Sequence, residues 1–250
     1  MSPTSKPRAE KVALVTGGSR GIGAAICERL AAAGAHITFT YSRSAEAADR
    51  VVEACQRHAV RAVAANVDAG DIAAGQKLVE QMVTEAGHID ILVNSAASLP
   101  LGDLFSVTPD MLDRYIAVNI RGLFLFTQAV AQHMPPGGRI INIGSGFGEV
   151  VPAPGLALYA MGKFALAGLT RAWAHDLAPR KITVNCIQPG PVHTDMNPED
   201  GPLSGFLTPR TAVKRYGRVE EIAEMVAYLV GPFTDNVTGA MLNNDGGFTA

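Results

Sequence analysis

Residues 11–34, KVALVTGGSRGIGAAICERLAAAG, decide the fold of this chain. A short apolar run, KVALVTGG, ends in glycines and reads as a buried strand. GAAICERLAAAG then shows helical periodicity and stops at Gly34. Between them lies TGGSRGIG, residues 16–23, with Gly17, Gly21 and Gly23 in the spacing GxxxGxG. Glycine permits a tight turn and lets backbone approach a diphosphate closely. The helix N-terminus adds free N–H groups and positive dipole character. An ordinary glycine-rich turn is the plain alternative, and the order strand, turn, helix weighs against it. A P-loop is excluded, because no GK[ST] follows.

Outward from that stretch the alternation continues to the end of the chain. Strands are expected at HITFTYS, RAVAANV, IDILVNSA, GRIINIGS, ITVNCIQPG and GAMLNNDGG. Helices are expected at AEAADRVVEACQRH, DIAAGQKLVEQMVTEAG, residues 109–133, LYAMGKFALAGLTRAWAHDLAP and VEEIAEMVAYLVG. A polar, Pro-rich loop is read over residues 191–210. This pattern implies a parallel sheet with helices on both faces, an α/β class fold. With no linker, composition shift or repeat, a single doubly wound, Rossmann-type domain over 11–250 is the economical organisation. Residues 1–10 form a polar arm, expected to be flexible, and the substrate loop lies around 191–213. Ligands of such a fold sit beyond the carboxyl ends of the strands.

Composition narrows the function classes. The chain has 250 residues, 48% hydrophobic and 18% charged, with a formal net charge of −2. No Lys/Arg run points to nucleic acid or a membrane surface, and no apolar run spans a bilayer. The N-terminus lacks a signal-peptide core, and Cys27, Cys55 and Cys186 read as reduced thiols, so a cytoplasmic location is expected. Neither the cysteines nor the six histidines have metal-ligand spacing.

Several further motifs follow in order: NSAA at 94–97, VNIRG at 118–122, INIGS at 141–145, YAMGK at 159–163 and QPGPVHT at 188–194. Any one is modest evidence; the ordered set with TGGSRGIG is specific. The chain resembles the short-chain dehydrogenases/reductases from Lys11 to its C-terminus, and is most similar in flavour to the 3-oxoacyl-carrier-protein reductases and related carbonyl reductases. The resemblance implies a seven-stranded sheet, a nicotinamide cofactor, a small carbonyl or alcohol substrate and a homotetramer.

It also implies roles. Tyr159 is the general acid in carbonyl reduction and the base in the reverse direction. A free phenol has a pKa near ~10, and an ammonium one helical turn away favours the phenolate. Lys163 has that i,i+4 position and, by resemblance, also bonds the nicotinamide ribose. Ser145 would donate to the substrate oxygen. Asn119 would break helical pairing and hold a water linking Lys163 to solvent; a core amide satisfied by backbone is the alternative. Beyond Gly17, Gly21 and Gly23, the cofactor set implied is Ser19, Arg20 and Ile22 in the glycine loop, Asn66 and Val67 flanking adenine, and Asn94 and Ala96 at the ribose and diphosphate. Pro189, Gly190, Val192 and Thr194 would face the nicotinamide, with Tyr159 and Lys163.

The second strand runs into Tyr41, Ser42, Arg43 and Ser44, and the first acid, Glu46, is already in the next helix. An NAD-binding unit usually ends this strand in a carboxylate on the ribose 2′-hydroxyl. Its absence, with Arg43 as a charge-assisted partner for a 2′-phosphate, predicts NADP(H). The pattern departs from the family at Ser95 and Ala97, where Asn and Gly are usual, and at Gly162, where close packing would explain a mid-helix glycine. Trp173 is expected in the long helix or at a subunit contact, and His193 is at most a substrate contact. Leu99–Leu101, residues 146–154 and the loop after Thr194 would set the substrate, with Phe147, Val150, Val151, Met196 and Phe206 making a mostly apolar pocket. The alternative function is a nucleotide-binding regulator on the same fold, since fold does not fix function.

Overall fold

The computed structural model describes residues 11–100 and 102–250. The residues expected to form the N-terminal arm, and Leu101 of the substrate region, lie outside the described residues. Seven strands form one parallel sheet: β1 Val12–Thr16, β2 His36–Tyr41, β3 Ala62–Asn66, β4 Ile91–Asn94, β5 Arg139–Ile143, β6 Thr183–Pro189 and β7 Met241–Asn244. Their order is β3-β2-β1-β4-β5-β6-β7. The chain therefore winds outward from β1 in one direction, then returns and winds outward from β4 in the other. The crevice between β1 and β4 is the topological switch point, where open α/β sheets take their ligands.

The helices are α1 Gly21–Ala32, α2 Ala45–Gln56, α3 Ile72–Ala86, α4 Pro109–Ile116, α5 Leu123–Gln132, α6 Ala157–Leu177, α7 Ser204–Leu207 and α8 Val219–Leu229. Successive residues of one strand feed two cores, because strand side chains alternate faces. Ala13 and Val15 of β1 join Phe39, Val93 and Ile141 against Ile26 and Leu30 of α1 and Val226 of α8. Val12 and Leu14 join Leu92 and Ile140 against Leu78 of α3, Val130 of α5 and Trp173 of α6. Trp173 thus belongs to the core, only 8% exposed, with its ring 5.6 Å from that of Phe124. Cys27, Cys55 and Cys186 are buried free thiols, and burial pushes Cys55 and Cys186 up to about 11.

Two local features differ from the sequence expectation. The helix expected over 109–133 starts as predicted: Thr108 caps it by accepting from the Met111 amide at 3.2 Å, and Pro109 occupies the first turn. It is not α-helical throughout, because a π-helical stretch, Ala117–Gly122, joins α4 to α5 and carries Asn119. A widened turn of this kind shifts the backbone pairing, a feature frequent at functional sites. The stretch 191–210 is not all loop either. Its SGFL segment forms α7, because burying Leu207 against Tyr216 and Phe248 stabilises one helical turn.

Candidate active site

The carboxyl ends of β1, β4, β5 and β6 bring the motif residues to one edge of the sheet. At β1, Gly17 has a φ of +70°, and a Cβ on Gly23 would lie 2.2 Å from the Gly17 carbonyl oxygen. Side chains are excluded from both positions, so the turn folds back tightly onto the start of α1. Arg20 is the N-cap of α1 but offers no side-chain cap, and the first turn holds no acid. The first N–H groups of α1 therefore keep their donor capacity and the positive end of the dipole. Ser19 and Ile22 are half-buried in this loop, and Arg20 is exposed. Thr194 lies over it: the Cβ position of Gly21 is 3.4 Å from the Thr194 methyl carbon.

Threonines fix the loop from below. Gly17 N–H donates to Thr40 Oγ1 at 3.1 Å and Gly18 N–H to the Thr40 carbonyl at 2.9 Å. Thr16 Oγ1 accepts from the Ser95 and Ala96 amides, both at 3.0 Å. Asn94 donates to Thr127 Oγ1 at 3.0 Å and to Asn142 Oδ1 at 2.8 Å; Asn142 donates to Thr170 Oγ1 at 2.8 Å. This buried polar chain ties β4 and β5 to α5 and α6. The sequence reading missed Thr16, Thr40 and Asn142, whose partners lie far away in sequence; the polar interruptions of otherwise apolar strands were the available signal.

A cleft of about 450 Å³, partly open to solvent, runs beside the glycine loop and is lined by Thr16, Thr40, Val67, Asp68, Asn94 and Ala96 among others. Tyr41 and Val67 are half-buried at its β2–β3 side, while Asn66, Ser42, Arg43 and Ser44 are exposed. Ser44 is partly committed, because its oxygen accepts from the Ala47 amide at 3.2 Å to cap α2. Asp68 was not anticipated. Its hydrogen bond from Arg114, 2.7 Å long, holds the Asp68 carboxyl below the usual range, with the charge of Arg43 adding a smaller share.

Farther along the edge, Ser145 follows β5 and its oxygen accepts from the Phe147 amide at 3.1 Å. Tyr159 and Lys163 share one face of α6, with the Lys163 ammonium 5.5 Å from the Tyr159 ring centroid. Lys163 is 8% exposed, and its ammonium donates to the Ile143 carbonyl at 2.8 Å. Asn119 Oδ1 accepts from the Ser98 amide at 3.1 Å, and its Nδ2 donates to Ser98 Oγ at 2.7 Å and to the Tyr115 carbonyl at 3.1 Å. The Asn119 side-chain amide is thus satisfied within the protein, partly by backbone as in the core-amide alternative, and α-helical pairing gives way to π-helical pairing around it.

Pro189 ends β6, and Gly190, Val192 and Thr194 follow it; of these, Thr194 lies against Gly21 of the glycine loop. The His193 ring nitrogen Nδ1 accepts from the Glu199 amide at 3.1 Å, so that side chain braces its own loop. Phe147 meets the Tyr159 ring edge-on, centroids 6.0 Å apart, and packs with Val150, Phe206, Leu207, Tyr216 and Phe248. Val151 and Met196, also expected in the pocket, are more than half exposed.

A model of the enoyl-(acyl carrier protein) reductase family matches residues 17–249. The chain is 42% identical over 240 residues to the cyclic-di-GMP-binding biofilm dispersal mediator protein of Escherichia coli, covering 96% of this chain and 98% of the relative. It is 51% identical to a short-chain dehydrogenase/reductase from Serratia marcescens of known structure, with a TM-score of 0.95 and coverage of 98% and 100%. A short-chain dehydrogenase from Burkholderia cenocepacia, solved in complex with NADP, is 44% identical with a TM-score of 0.94, covering 96% of this chain and 98% of that one. The ordered motifs, the sheet topology and these likenesses along nearly the whole chain agree: the protein belongs to the short-chain dehydrogenase/reductase family.

Proposed function

We propose that this protein is an NADPH-dependent reductase of ketones or aldehydes, reversible as an alcohol oxidation. The observation that carries the reading is the placement of the Lys163 ammonium 5.5 Å from the Tyr159 ring centroid, at the sheet edge where Ser145 also stands. The cradle fits a dinucleotide: glycines exclude side chains from the turn, and the first turn of α1 offers unopposed N–H donors. Gly17, Ser19, Arg20, Gly21, Ile22 and Gly23 would hold the diphosphate, and Asn66, Val67, Asn94 and Ala96 the adenosine. Pro189, Gly190, Val192 and Thr194 would hold the nicotinamide end. Tyr41, Ser42, Arg43 and Ser44 would surround the 2′-phosphate; the Burkholderia relative's NADP complex supports that choice. When bound, NADPH supplies the hydride.

The chain's residues do the rest. The Ser145 hydroxyl donates to the carbonyl oxygen and keeps it aimed at Tyr159. The Tyr159 phenol delivers its proton to that oxygen as negative charge develops there. The Lys163 ammonium lowers the cost of the phenolate left behind. The side-chain amide of Asn119 is committed to Ser98 and Tyr115, so the family's water, through which Lys163 would be reprotonated, would have to be held by main chain at the π turn. Phe147, Val150 and Phe206 give the approach an apolar character that favours organic carbonyls over charged ones. Ile116, Phe124, Met161 and Phe164 are exposed on α4, α5 and α6 and support a homotetramer in which these faces meet.

A panel of ketones and aldehydes assayed by NADPH consumption tests the reading, with Tyr159→Phe as its control. The parent turns over at least one substrate class, and the variant binds NADPH normally but loses about 10²–10⁴-fold in kcat. The Escherichia coli relative is named for binding cyclic-di-GMP, so the titration includes that dinucleotide. Binding of it without turnover on any carbonyl would replace the enzymatic reading with a regulatory one.

A further inference from the structure

Gly162 and Tyr115 are matched across the interface of α4 and α6. A Cβ on Gly162 would lie 2.2 Å from the Tyr115 hydroxyl oxygen and 2.9 Å from two of its ring carbons. No side chain fits there while the ring stays in place. Tyr115 is only 1% exposed, and its hydroxyl donates to the Tyr159 main-chain carbonyl at 3.2 Å. In an α-helix the carbonyl of residue 159 faces the N–H of residue 163. The phenol therefore grips the very turn that sets the distance between Tyr159 and Lys163. At its other end, the Tyr115 carbonyl accepts from Asn119 Nδ2 at 3.1 Å, at the π turn. Tyr115, Asn119, Gly162 and Lys163 also line one small pocket, partly open to solvent.

We propose that Tyr115 is a positioning residue for proton transfer, holding the Tyr159–Lys163 turn and Asn119 in fixed relation, and that Gly162 is the opening that admits it. The inference rests on the reductase reading, and it explains why a helix tolerates glycine where alanine would stabilise it by about 1 kcal/mol. Burial, and then the nearby Tyr159, keeps the Tyr115 phenol above the usual tyrosine range. It therefore remains a neutral donor to the Tyr159 main-chain carbonyl.

Three variants test the match. Tyr115→Phe keeps the ring and removes one hydrogen bond. Gly162→Ala inserts the forbidden carbon. Tyr115→Val with Gly162→Ala removes the obstacle as well. With Tyr115→Phe the turn loosens, the ammonium stabilises the Tyr159 phenolate less, and the acidic limb of alcohol oxidation moves to higher pH. Its kcat falls by about tenfold while KM for NADPH stays within about twofold. Gly162→Ala loses more kcat than Tyr115→Phe, and the double variant, freed of the clash but still without the Tyr115 hydroxyl, recovers at most to the level of Tyr115→Phe.

An activity-independent readout is the titration of Tyr159 in the NADP⁺ complex, followed by NMR of ring-labelled tyrosine with Tyr159→Phe as the assignment control. Tyr115→Phe raises that pKa. An unshifted Tyr159 titration, or a double variant no better than Gly162→Ala alone, overturns the positioning role. If the parent reduces no carbonyl, the reductase reading fails on its own, and the Tyr159 titration and NADP⁺ affinity still decide whether Tyr115 sets the geometry.

Discussion

The two sides of the cleft are built differently. On the nucleotide side, backbone touches backbone: the Cβ position of Gly23 is 2.2 Å from the Gly17 carbonyl oxygen, and that of Gly17 is 2.8 Å from the Ala96 Cα. Threonines and an asparagine chain fix these segments to the sheet. On the substrate side, the walls are side chains on loops, and several of them are uncovered. Met196, Leu203 and Val213 are 54%, 44% and 53% exposed, and Val151 on the facing loop is 53% exposed. The base of that loop is pinned. Gly217 N–H donates to the Pro191 carbonyl at 2.8 Å, and His193 N–H to the Gly217 carbonyl at 2.9 Å. A rigid side and a more exposed one suit the proposed division between a dinucleotide cofactor and a carbonyl substrate.

The largest effect expected from breaking this contrast is on the rigid side. In Gly23→Ala the new methyl carbon meets main chain that has nowhere to go, so the glycine turn must open. NADPH affinity falls by about 100-fold or more, beyond what one lost hydrogen bond explains. Circular dichroism separates this from unfolding, because α1 packs through Ile26 and Leu30 rather than through the turn. A folded Gly23→Ala protein with parental NADPH affinity would show that the close approach at the turn is not part of the binding site.

A smaller effect is expected at Arg43, which is exposed after β2 and acts on Asp68 through its charge. The guanidinium is the natural partner for a 2′-phosphate, and Asp68 nearby already has Arg114 as its partner. Arg43→Ala should raise KM for NADPH by about tenfold and leave NADH within about twofold, the scale of one charge-assisted hydrogen bond. Steady-state kinetics with both cofactors measures this. An equal rise for the two would move the 2′-phosphate contact elsewhere in the cleft.

The same contrast explains what the sequence made legible. The glycine loop, the alternating elements and the Tyr159–Lys163 spacing are local patterns, and β1, α1 and α6 occur within a residue or two of where periodicity placed them. Gly162 stood out as a mid-helix glycine, but its reason is the Tyr115 hydroxyl, 47 positions earlier in the chain, brought there by α4–α6 packing. Thr16, Thr40 and Asn142 showed only as polar interruptions of apolar strands, and Asp68 not at all, because each acts through partners that only the fold brings near. Asn119 was legible as a polar interruption of an apolar helix. The structure adds that its amide is spent on Ser98 and Tyr115, a contact that depends on how the β4 loop returns over the π turn. The short α7 escaped because four residues carry too little periodicity to read.

The smallest effect is expected where the exposed wall joins the rigid frame. Glu221, in the first turn of α8, accepts from Arg215 at 2.7 and 3.0 Å and from the Arg218 amide at 2.8 Å. Arg215 lies next to Tyr216, which is buried under the substrate wall, so this pair fixes the end of the loop. The Arg215 hydrogen bond first, then the Arg218 amide, lowers the Glu221 carboxyl to about 2. An unfolded glutamate titrates near ~4.3. The folded value lies below the unfolded one, so the contribution is fully present above about pH 4.3 and is lost as pH falls toward about 2. Glu221 is 29% exposed and Arg215 54%, so solvent screening keeps the pair modest. Glu221→Gln should lower Tm by about 1–3 °C at pH 7. The gap between parent and variant should narrow as pH falls below about 4.3 and close only near pH 2, where the folded parent loses the charge that the variant never had. A gap that stays constant across that range would mean that the loss in the variant does not come from the carboxylate's charge.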